Sequence, residues 1–332
     1  MHQTRRQGNF EKPIAGMLPR FLSLPQLAAR YGSRYSSHAA GSYKSNTIHD
    51  MHNAYLKGVP LTMCTAHDYI TANWVHEASC DMLLVGDSLS MTSLGYDSTT
   101  DLPFDEFKYH VRSVCRAHGP SMVVVDMPFG SFEASTEQGL SNAIEVMKLS
   151  SKVTSLKLEV GLHTRDSYTI NLIKEICSRG IPVMGHIGLT PQKAHSLGGF
   201  KVQGNKTLNG MVELQETALL LQEAGCWSLL IECVPHKLAQ HLTSRLSIPT
   251  IGIGAGNGTS GQVLVVSDLL GMKQGSVPKF VKQYSHLCTS AVEGIRSYNS
   301  DVQEGRFPDK DIHTFKIKDD LWKSFIEKSK QL

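Results

Sequence analysis

Short apolar runs that each end in an ionisable residue most constrain how this 332-residue chain can fold. The clearest run, over 82–85, ends abruptly in Gly86, Asp87 and Ser88. Continuous apolar runs of this length are typical of strands buried on both faces, as in parallel sheets covered by helices. Asp87 is then expected at the carboxyl end of its strand, where α/β folds bind their ligands.

The same pattern recurs along the chain, with an acid or a histidine at the end of each run. These residues are Asp126, Glu159, His186 and Glu232. Because parallel strands present their carboxyl ends at one rim, we expect all four to lie near Asp87. A helix N-cap or a loop carboxylate is the alternative for any single acid, but recurrence on five strands favours a shared site.

Helical segments alternate with these strands, which predicts a (β/α)8 barrel. Eight strands are expected, the first at 61–65 and the last at 262–266, followed by a long helix at 281–299. Alternating strands and helices indicate a parallel sheet, and eight such units close into a barrel of about 250 residues. We therefore predict a catalytic barrel over 46–315, a glycine-rich loop above its rim near 198–210, and a polar tail over 316–332.

The composition excludes several classes of protein. The chain is 41% hydrophobic and 19% charged, with a net charge of +3, so no basic field points to nucleic acid. No apolar run approaches the roughly 20 residues that span a bilayer. The seven cysteines include no C-x-x-C pair and are expected to be reduced thiols rather than zinc ligands.

Two local patterns have alternative interpretations that the sequence does not favour. Cys233 follows Glu232, but no histidine stands beside it in sequence, so a thiolate nucleophile is not expected. The glycine-rich stretch 254–258 reads G-A-G-N-G and lacks the ribose-binding acid of a dinucleotide site. We interpret it as a tight turn in which backbone approaches a ligand.

Residues 1–45 differ from the rest of the chain. They are rich in arginine and serine, and Glu11 is the acid among them. This composition resembles a mitochondrial transit peptide, so we expect a leader and a mitochondrial location. The alternative is an N-terminal extension that stays in the cytoplasm.

Three of the acids point to a divalent metal ion. Asp87, Asp126 and Glu159 come from consecutive predicted strands, and carboxylate oxygens are the ligands that Mg²⁺ prefers. Lys157 stands two residues before Glu159, so both side chains face the barrel interior. Lys157 is expected to bind a substrate carboxylate, with a structural ion pair as the alternative.

Two further residues are candidates for proton transfer. His186 can donate a hydrogen bond to an enolate or carboxylate oxygen, although a core histidine with all its hydrogen bonds made is the alternative. Glu232 lies across the predicted ring from the metal ligands, which makes it the best candidate for a general base.

Eight short motifs together resemble the ketopantoate hydroxymethyltransferase family. They are VGDSL at 85–89, DMPF at 126–129, KLE at 157–159, GHIGLTPQ at 185–192, GFKVQG at 199–204, ECVP at 232–235, IGIGAG at 251–256 and PKF at 278–280. The resemblance covers about 51–315. It implies a (β/α)8 barrel of the phosphoenolpyruvate/pyruvate-binding type, Mg²⁺, 5,10-methylenetetrahydrofolate as co-substrate, and a homo-oligomer, a decamer in the family.

The resemblance also implies roles for individual residues. The family's metal ligands correspond to Asp87, Asp126 and Glu159. Its keto-acid contacts correspond to Asp87, Ser88, Asp126, Lys157 and His186. Its proton acceptor corresponds to Glu232. The expected reaction moves a hydroxymethyl group from the folate to 3-methyl-2-oxobutanoate, gives ketopantoate through an enolate, and begins pantothenate synthesis.

Three positions depart from the family's usual residues, and two other functions remain open. His67, Ser90 and Val160 stand where tyrosine, glycine and glycine are common, which puts the geometry of loops near the rim in doubt. Within enzymes, the rival is a metal-dependent carbon–carbon lyase or phosphonomutase on the same barrel. A catalytically inactive barrel that serves as an assembly subunit is the alternative from another class.

Overall fold

Eight parallel strands close into a barrel in the part of the chain that the structure describes. The structure, a computed structural model, describes residues 44–161 and 166–332. The leader predicted over 1–45 lies outside these residues except for its last two positions. The strands are β1 Leu61–Thr65, β2 Met82–Val85, β3 Met122–Asp126, β4 Val153–Glu159, β5 Val183–Gly188, β6 Ser228–Glu232, β7 Thr250–Ile253 and β8 Gly261–Leu264. They pair in sequence order, and β8 closes on β1.

Helices follow the strands and cover the outside of the barrel, which confirms the predicted (β/α)8 class. They are α1 Ile48–Leu56, α2 Tyr69–Glu77, α3 Phe104–Val114, α4 Thr136–Lys148, α5 Ser167–Ser178, α6 Ala194–Leu197, α7 Leu208–Glu223, α8 His236–Arg245, α9 Val266–Leu269, α10 Leu287–Gln303 and α11 Asp319–Ser329. A π-helical segment, Ser90–Leu94, follows β2. No helix of the described residues is long and apolar enough to cross a membrane.

The boundaries of the eighth strand and of the long helix differ from the sequence prediction. The eighth strand ends at Leu264 rather than at 266, because Val266 already begins α9. The long helix begins at Leu287 rather than at 281. The preceding segment is not helical, and the N–H groups of Tyr284 and Leu287 donate to the carbonyls of Leu269 and Leu270 at the end of α9. Helix ends that receive such bonds need no further cap.

Alternation along the strands separates an inner core from an outer one. The inner core contains Leu84, Val124, Met184 and Leu230, each on the barrel-facing side of its strand. Met51 of α1 joins this cluster and closes the end of the barrel opposite the rim. Side chains two residues further along a strand point the same way. The inner core therefore dictates which residues reach the rim.

The outer core fills the space between strands and helices. Phe107 of α3 and Leu172 of α5 are fully buried there. Gly139 of α4 allows close packing here, because a Cβ at that position would lie 2.7 Å from Leu172 Cδ2 and the leucine would have to shift. By contrast, α10 and α11 contribute no buried side chain within the described residues. The buried core of the described residues thus comes from the barrel and from α1–α5 and α7–α9.

Candidate active site

The barrel interior delivers five ionisable side chains to the carboxyl-terminal rim. Asp126 continues the inward alternation of Val124, and Glu232 continues that of Leu230. The remaining three groups, Lys157, Glu159 and His186, follow the same alternation on β4 and β5. Strand register sets them side by side: Asp126 pairs with Lys157, Glu159 with His186, and Gly188 with Glu232.

Lys157 is the buried cation of this rim. Its Nζ lies 3.0 Å from Asp126 Oδ1 and 3.3 Å from His186 Nδ1. Burial lowers the pKa of Lys157, but the surrounding carboxylates Asp126, Glu159 and Asp87 outweigh burial and raise it overall. Lys157 is therefore protonated throughout the physiological range and holds a positive charge inside the barrel.

Asp87 lies just beyond the end of β2 and adjoins Asp126. The main-chain N–H of Asp87 donates to Asp126 Oδ2 at 3.0 Å. Burial, and then the charges of Asp126 and Glu159, raise the pKa of Asp87 well above its usual value. Burial likewise raises the pKa of Asp126, although Lys157 opposes it. Two adjoining carboxylates with raised pKa values form a site that attracts a cation.

Gln192 connects the two sides of the acid ring. Its Nε2 donates to Asp87 Oδ2 at 2.7 Å and to the carbonyl of Met127 at 2.9 Å. Its main-chain N–H donates to Glu159 Oε2 at 2.9 Å. Gln192 belongs to the GHIGLTPQ motif, but no role was expected for it. Residue spacing could not reveal this role, because Gln192 lies in a single 3-10 turn, Pro191–Lys193, after β5 and reaches a residue 105 positions earlier.

Glu159 is held by its neighbours on both carboxylate oxygens. Its Oε1 lies 3.4 Å from His186 Nδ1, and its Oε2 accepts from Gln192. Burial raises the pKa of Glu159, but the hydrogen bond from His186 and the charges of His186 and Lys157 lower it overall. Glu159 is therefore an ionised partner that fixes the imidazole.

His186 stands between two carboxylates. Its Nε2 lies 3.3 Å from Glu232 Oε2. Burial and the charge of Lys157 lower the pKa of His186, but hydrogen bonds to Glu159 and Glu232 prevail and raise it to about 8. The imidazole is thus mainly protonated at neutral pH, with both nitrogens as donors.

Glu232 is the most accessible carboxylate of the ring. Its side chain is 17% exposed, against 2% for Glu159. The carbonyl of Glu232 accepts from the N–H of Leu189 at 2.8 Å, which fixes the strand end. Gly188 has a φ of +96°, and a Cβ there would lie 2.2 Å from that carbonyl oxygen, so only glycine fits. Glu232 can therefore reach a ligand from a fixed backbone.

The ring forms the floor of a cleft of about 580 Å³. Its lining includes all seven predicted site residues: Asp87, Ser88, Asp126, Lys157, Glu159, His186 and Glu232. Ligand sites for drug-sized molecules typically measure about 300–1,000 Å³, so the cleft can hold more than a small keto acid. The structure thus brings every predicted site residue together.

The three departures from the family pattern lie away from this cleft. None of His67, Ser90 and Val160 is among the described residues that line it. Val160 is buried and its N–H donates to the carbonyl of His186. The carbonyl of His67 contacts His110 Nδ1 at 2.5 Å. These three residues therefore affect the rim by positioning the neighbouring backbone and not by contacting a ligand.

Hydrogen bonding at the rim is incomplete in a way that fits a metal ion and a ligand. At the rim, Gln192 Oε1 is buried without a hydrogen-bond partner among the described residues, and Asp126 Oδ1 and His186 Nε2 are buried with one ion-pair contact each, to Lys157 and to Glu232. Buried polar atoms are normally paired, so these atoms mark where further groups bind. The hard oxygens of Asp87 and Asp126 suit Mg²⁺, which often uses one or two carboxylates together with substrate oxygens and water.

The metal ligand set expected from the sequence, Asp87, Asp126 and Glu159, stays a prediction. Within residues 44–161 and 166–332, no group of three or more His, Cys, Asp or Glu side chains is positioned to hold a metal ion. Protein groups contact the oxygens of all three acids: His186 and Gln192 lie at Glu159, Lys157 and the N–H of Asp87 lie at Asp126, and Gln192 also lies at Asp87. Asp87 and Asp126 adjoin each other, which brings two hard carboxylates together at the rim.

A larger cavity, about 700 Å³, lies outside the barrel beside β1 and β8. Its lining is mainly apolar and includes Trp74, Leu269 and Leu287. None of the described residues that line it is an acid, a histidine or a lysine. The rim cleft, with its ionisable groups, is the candidate for chemistry.

Comparison with known proteins agrees with these motifs. Residues 45–310 match the sequence profile described as ketopantoate hydroxymethyltransferase. A Saccharomyces cerevisiae protein named 3-methyl-2-oxobutanoate hydroxymethyltransferase is 64% identical, over 88% of this chain and 94% of its own. A protein of the same name from Emericella nidulans is 43% identical, over 94% of this chain and 90% of its own.

Solved structures with similar folds are distant in sequence. Phosphonopyruvate hydrolase in complex with oxalate and Mg²⁺ has a TM-score of 0.53 at 12% identity, over 86% of this chain and 97% of its own. For 2,3-dimethylmalate lyase the TM-score is 0.50 at 12% identity, over 81% of this chain and 91% of its own. These likenesses show the barrel fold alone. On the sequence matches, the chain belongs to the ketopantoate hydroxymethyltransferase family.

Proposed function

We propose that the chain transfers a hydroxymethyl group from 5,10-methylenetetrahydrofolate to 3-methyl-2-oxobutanoate, which gives ketopantoate and begins pantothenate synthesis. The observation that carries this proposal is one cleft in which the accessible carboxylate of Glu232 faces the buried ammonium of Lys157 across His186. A base and an anion-binding cation on one rim suit removal of a proton from a bound keto acid. The name of the yeast relative specifies the keto acid.

Lys157 and Ser88 are proposed to bind the carboxylate end of the keto acid. Lys157 keeps its charge because three carboxylates surround it, so it can attract an anion inside the barrel. Asp87 and Asp126 are proposed to hold Mg²⁺. A bound Mg²⁺ supplies Lewis-acid polarisation of the keto group, which makes the neighbouring C3 proton more acidic.

Glu232 is proposed to remove the C3 proton. It lines the cleft and its backbone is fixed by the hydrogen bond from Leu189. His186 is then proposed to donate from Nε2 to the enolate oxygen, because that nitrogen is buried at the cleft beside Glu232 Oε2, the group that has just taken the proton. A donor aimed at developing negative charge stabilises the transition state.

Carbon transfer completes the reaction. The electron pair of the enolate forms a bond from C3 to the methylene carbon of the folate, and one of the two bonds from that carbon to the folate nitrogens breaks. Water then bonds to the same carbon as the hydroxyl oxygen while the second carbon–nitrogen bond breaks. The two nitrogens receive one proton from water and the C3 proton that Glu232 had taken. The products are ketopantoate and tetrahydrofolate, and no electrons are gained or lost overall.

Folate dependence distinguishes this proposal from a lyase or phosphonomutase. We expect purified protein with Mg²⁺ to form ketopantoate from 3-methyl-2-oxobutanoate only when 5,10-methylenetetrahydrofolate is present, as measured by mass spectrometry. The control is the same mixture with tetrahydrofolate, which lacks the transferable carbon. Cleavage of 2,3-dimethylmalate or phosphonopyruvate without ketopantoate formation would contradict the proposal.

A further inference from the structure

The cleft extends from the acid ring to two aromatic side chains that lie largely outside the core. Phe280 is 39% exposed and Phe200 is 58% exposed, and both line the cleft. Single exposed apolar side chains are ordinary on protein surfaces. Two exposed rings that border the cleft holding the candidate base form a surface on which a flat apolar ligand can stack.

Phe280 lies against the backbone next to the base. A Cβ at Gly254 would lie 3.0 Å from Phe280 Cδ1 and 3.1 Å from Cys233 Sγ. The ring therefore covers the turn after β7, beside the residue that follows Glu232. Gly254, with a φ of +63°, permits this close approach because it has no side chain. Phe280 therefore lies close to Glu232, with the backbone of the turn after β7 between them.

Phe200 is connected to the same place by a hydrogen bond. It belongs to the loop between α6 and α7, in which the N–H of Gln203 donates to the carbonyl of Cys233 at 2.9 Å. Cys233 has a φ of +49°, which is unfavourable for a residue with a side chain. Its N–H donates to the carbonyl of Ile253 at 2.8 Å. Cys233 is therefore fixed from both sides, and its carbonyl holds the loop that carries Phe200 beside Glu232.

We propose that Phe280 and Phe200 bind the fused heteroaromatic ring of the folate co-substrate by stacking. This inference rests on the proposed function, because it assumes a folate donor in the same cleft as the keto acid. A folate ring that stacks on Phe280 lies on the side of the cleft where Glu232 removes the proton. The methylene carbon on that ring then faces the carbon that becomes nucleophilic, which brings the two substrates together.

The test compares leucine and tyrosine at the same position. Phe280→Leu keeps apolar bulk but removes the flat ring, whereas Phe280→Tyr keeps the ring. We expect Phe280→Leu to raise the KM for 5,10-methylenetetrahydrofolate and the Kd for tetrahydrofolate roughly tenfold or more, by analogy with stacking of bases on aromatic side chains. The KM for the keto acid should change less than the KM for the folate, and Phe280→Tyr should restore folate binding.

Phe315→Leu is the matched control, because Phe315 is a fully exposed phenylalanine that does not line the cleft. The inference is overturned if Phe280→Leu binds tetrahydrofolate as tightly as the parent and Phe315→Leu do. It is also overturned if Phe280→Tyr is as weak as the leucine variant. Failure of the proposed function looks different, since the parent protein would then make no ketopantoate.

Discussion

Replacing Glu232 by glutamine is expected to slow exchange of the C3 proton of 3-methyl-2-oxobutanoate by about 10²- to 10⁴-fold, the usual contribution of a positioned general base. Glutamine has nearly the same shape as glutamate but cannot accept the proton. The measurement is NMR of the keto acid in heavy water, with Mg²⁺ and without folate. Binding of the keto acid should persist, because Lys157 and Ser88 are unchanged.

A surface glutamate provides the control for this substitution. Glu223 is exposed at the end of α7, so Glu223→Gln removes the same charge far from the rim. We expect Glu223→Gln to exchange the proton like the parent. Undiminished exchange in Glu232→Gln would remove Glu232 from the role of base, whatever the control shows.

Replacing Lys157 by methionine is expected to destabilise the fold at neutral pH by about 3–5 kcal/mol, the usual result of removing one partner of a buried ion pair. The parent keeps this ammonium 3.0 Å from Asp126 Oδ1, with both side chains buried. Methionine fills similar space but leaves neighbouring carboxylates without their cation. The measurement is the free energy of unfolding from urea titration at several pH values, with metal removed by chelator.

The destabilisation should shrink as the pH falls. Lys157 lowers the pKa of both Asp87 and Asp126, so its loss raises their folded-state pKa values further above those of the unfolded chain. An acid with a raised folded-state pKa costs stability when ionised, and that cost disappears when it is protonated in both states. We therefore expect Lys157→Met to lose less unfolding free energy, relative to the parent, near pH 5 than near pH 8.

Two comparisons make this prediction specific. Lys330→Met removes an exposed lysine that pairs with Glu327, and such surface pairs contribute about 0–1 kcal/mol. Adding Asp126→Asn to Lys157→Met should recover part of the lost stability, since it removes one of the unpaired charges. A deficit that is equal at pH 5 and pH 8, with no recovery in the double variant, would contradict a buried charge cluster.

The strands and their terminal residues could be predicted because their signal is local. Runs such as 82–85 are apolar throughout, and each ends where an ionisable residue follows. Because side chains alternate between the two faces of a strand, the last residue of each of these strands faces inward at one rim: Asp126, Glu159 and Glu232. The barrel, and the closeness of the site residues to one another, could therefore be predicted from a pattern that spans only a few residues at a time.

Contacts made by loops could not be predicted in the same way. Gln192 reaches Asp87, which is 105 residues earlier, and no periodicity connects the two. The left-handed backbone of Cys233 is equally hidden, because it depends on hydrogen bonds to Gln203 and Ile253 from other segments. The hydrogen bond from the Gln192 N–H to Glu159 is another contact of this kind.

Proton exchange at C3 of 3-methyl-2-oxobutanoate in heavy water, followed by NMR before any folate is added, tests the central claim most directly. The parent protein is predicted to exchange this proton in the presence of Mg²⁺ and to stop when a chelator removes the metal. That result would establish proton removal at the rim as a step independent of the one-carbon donor. Absence of exchange under both conditions would contradict the proposed chemistry, and equal exchange with chelator would contradict the role given to the metal.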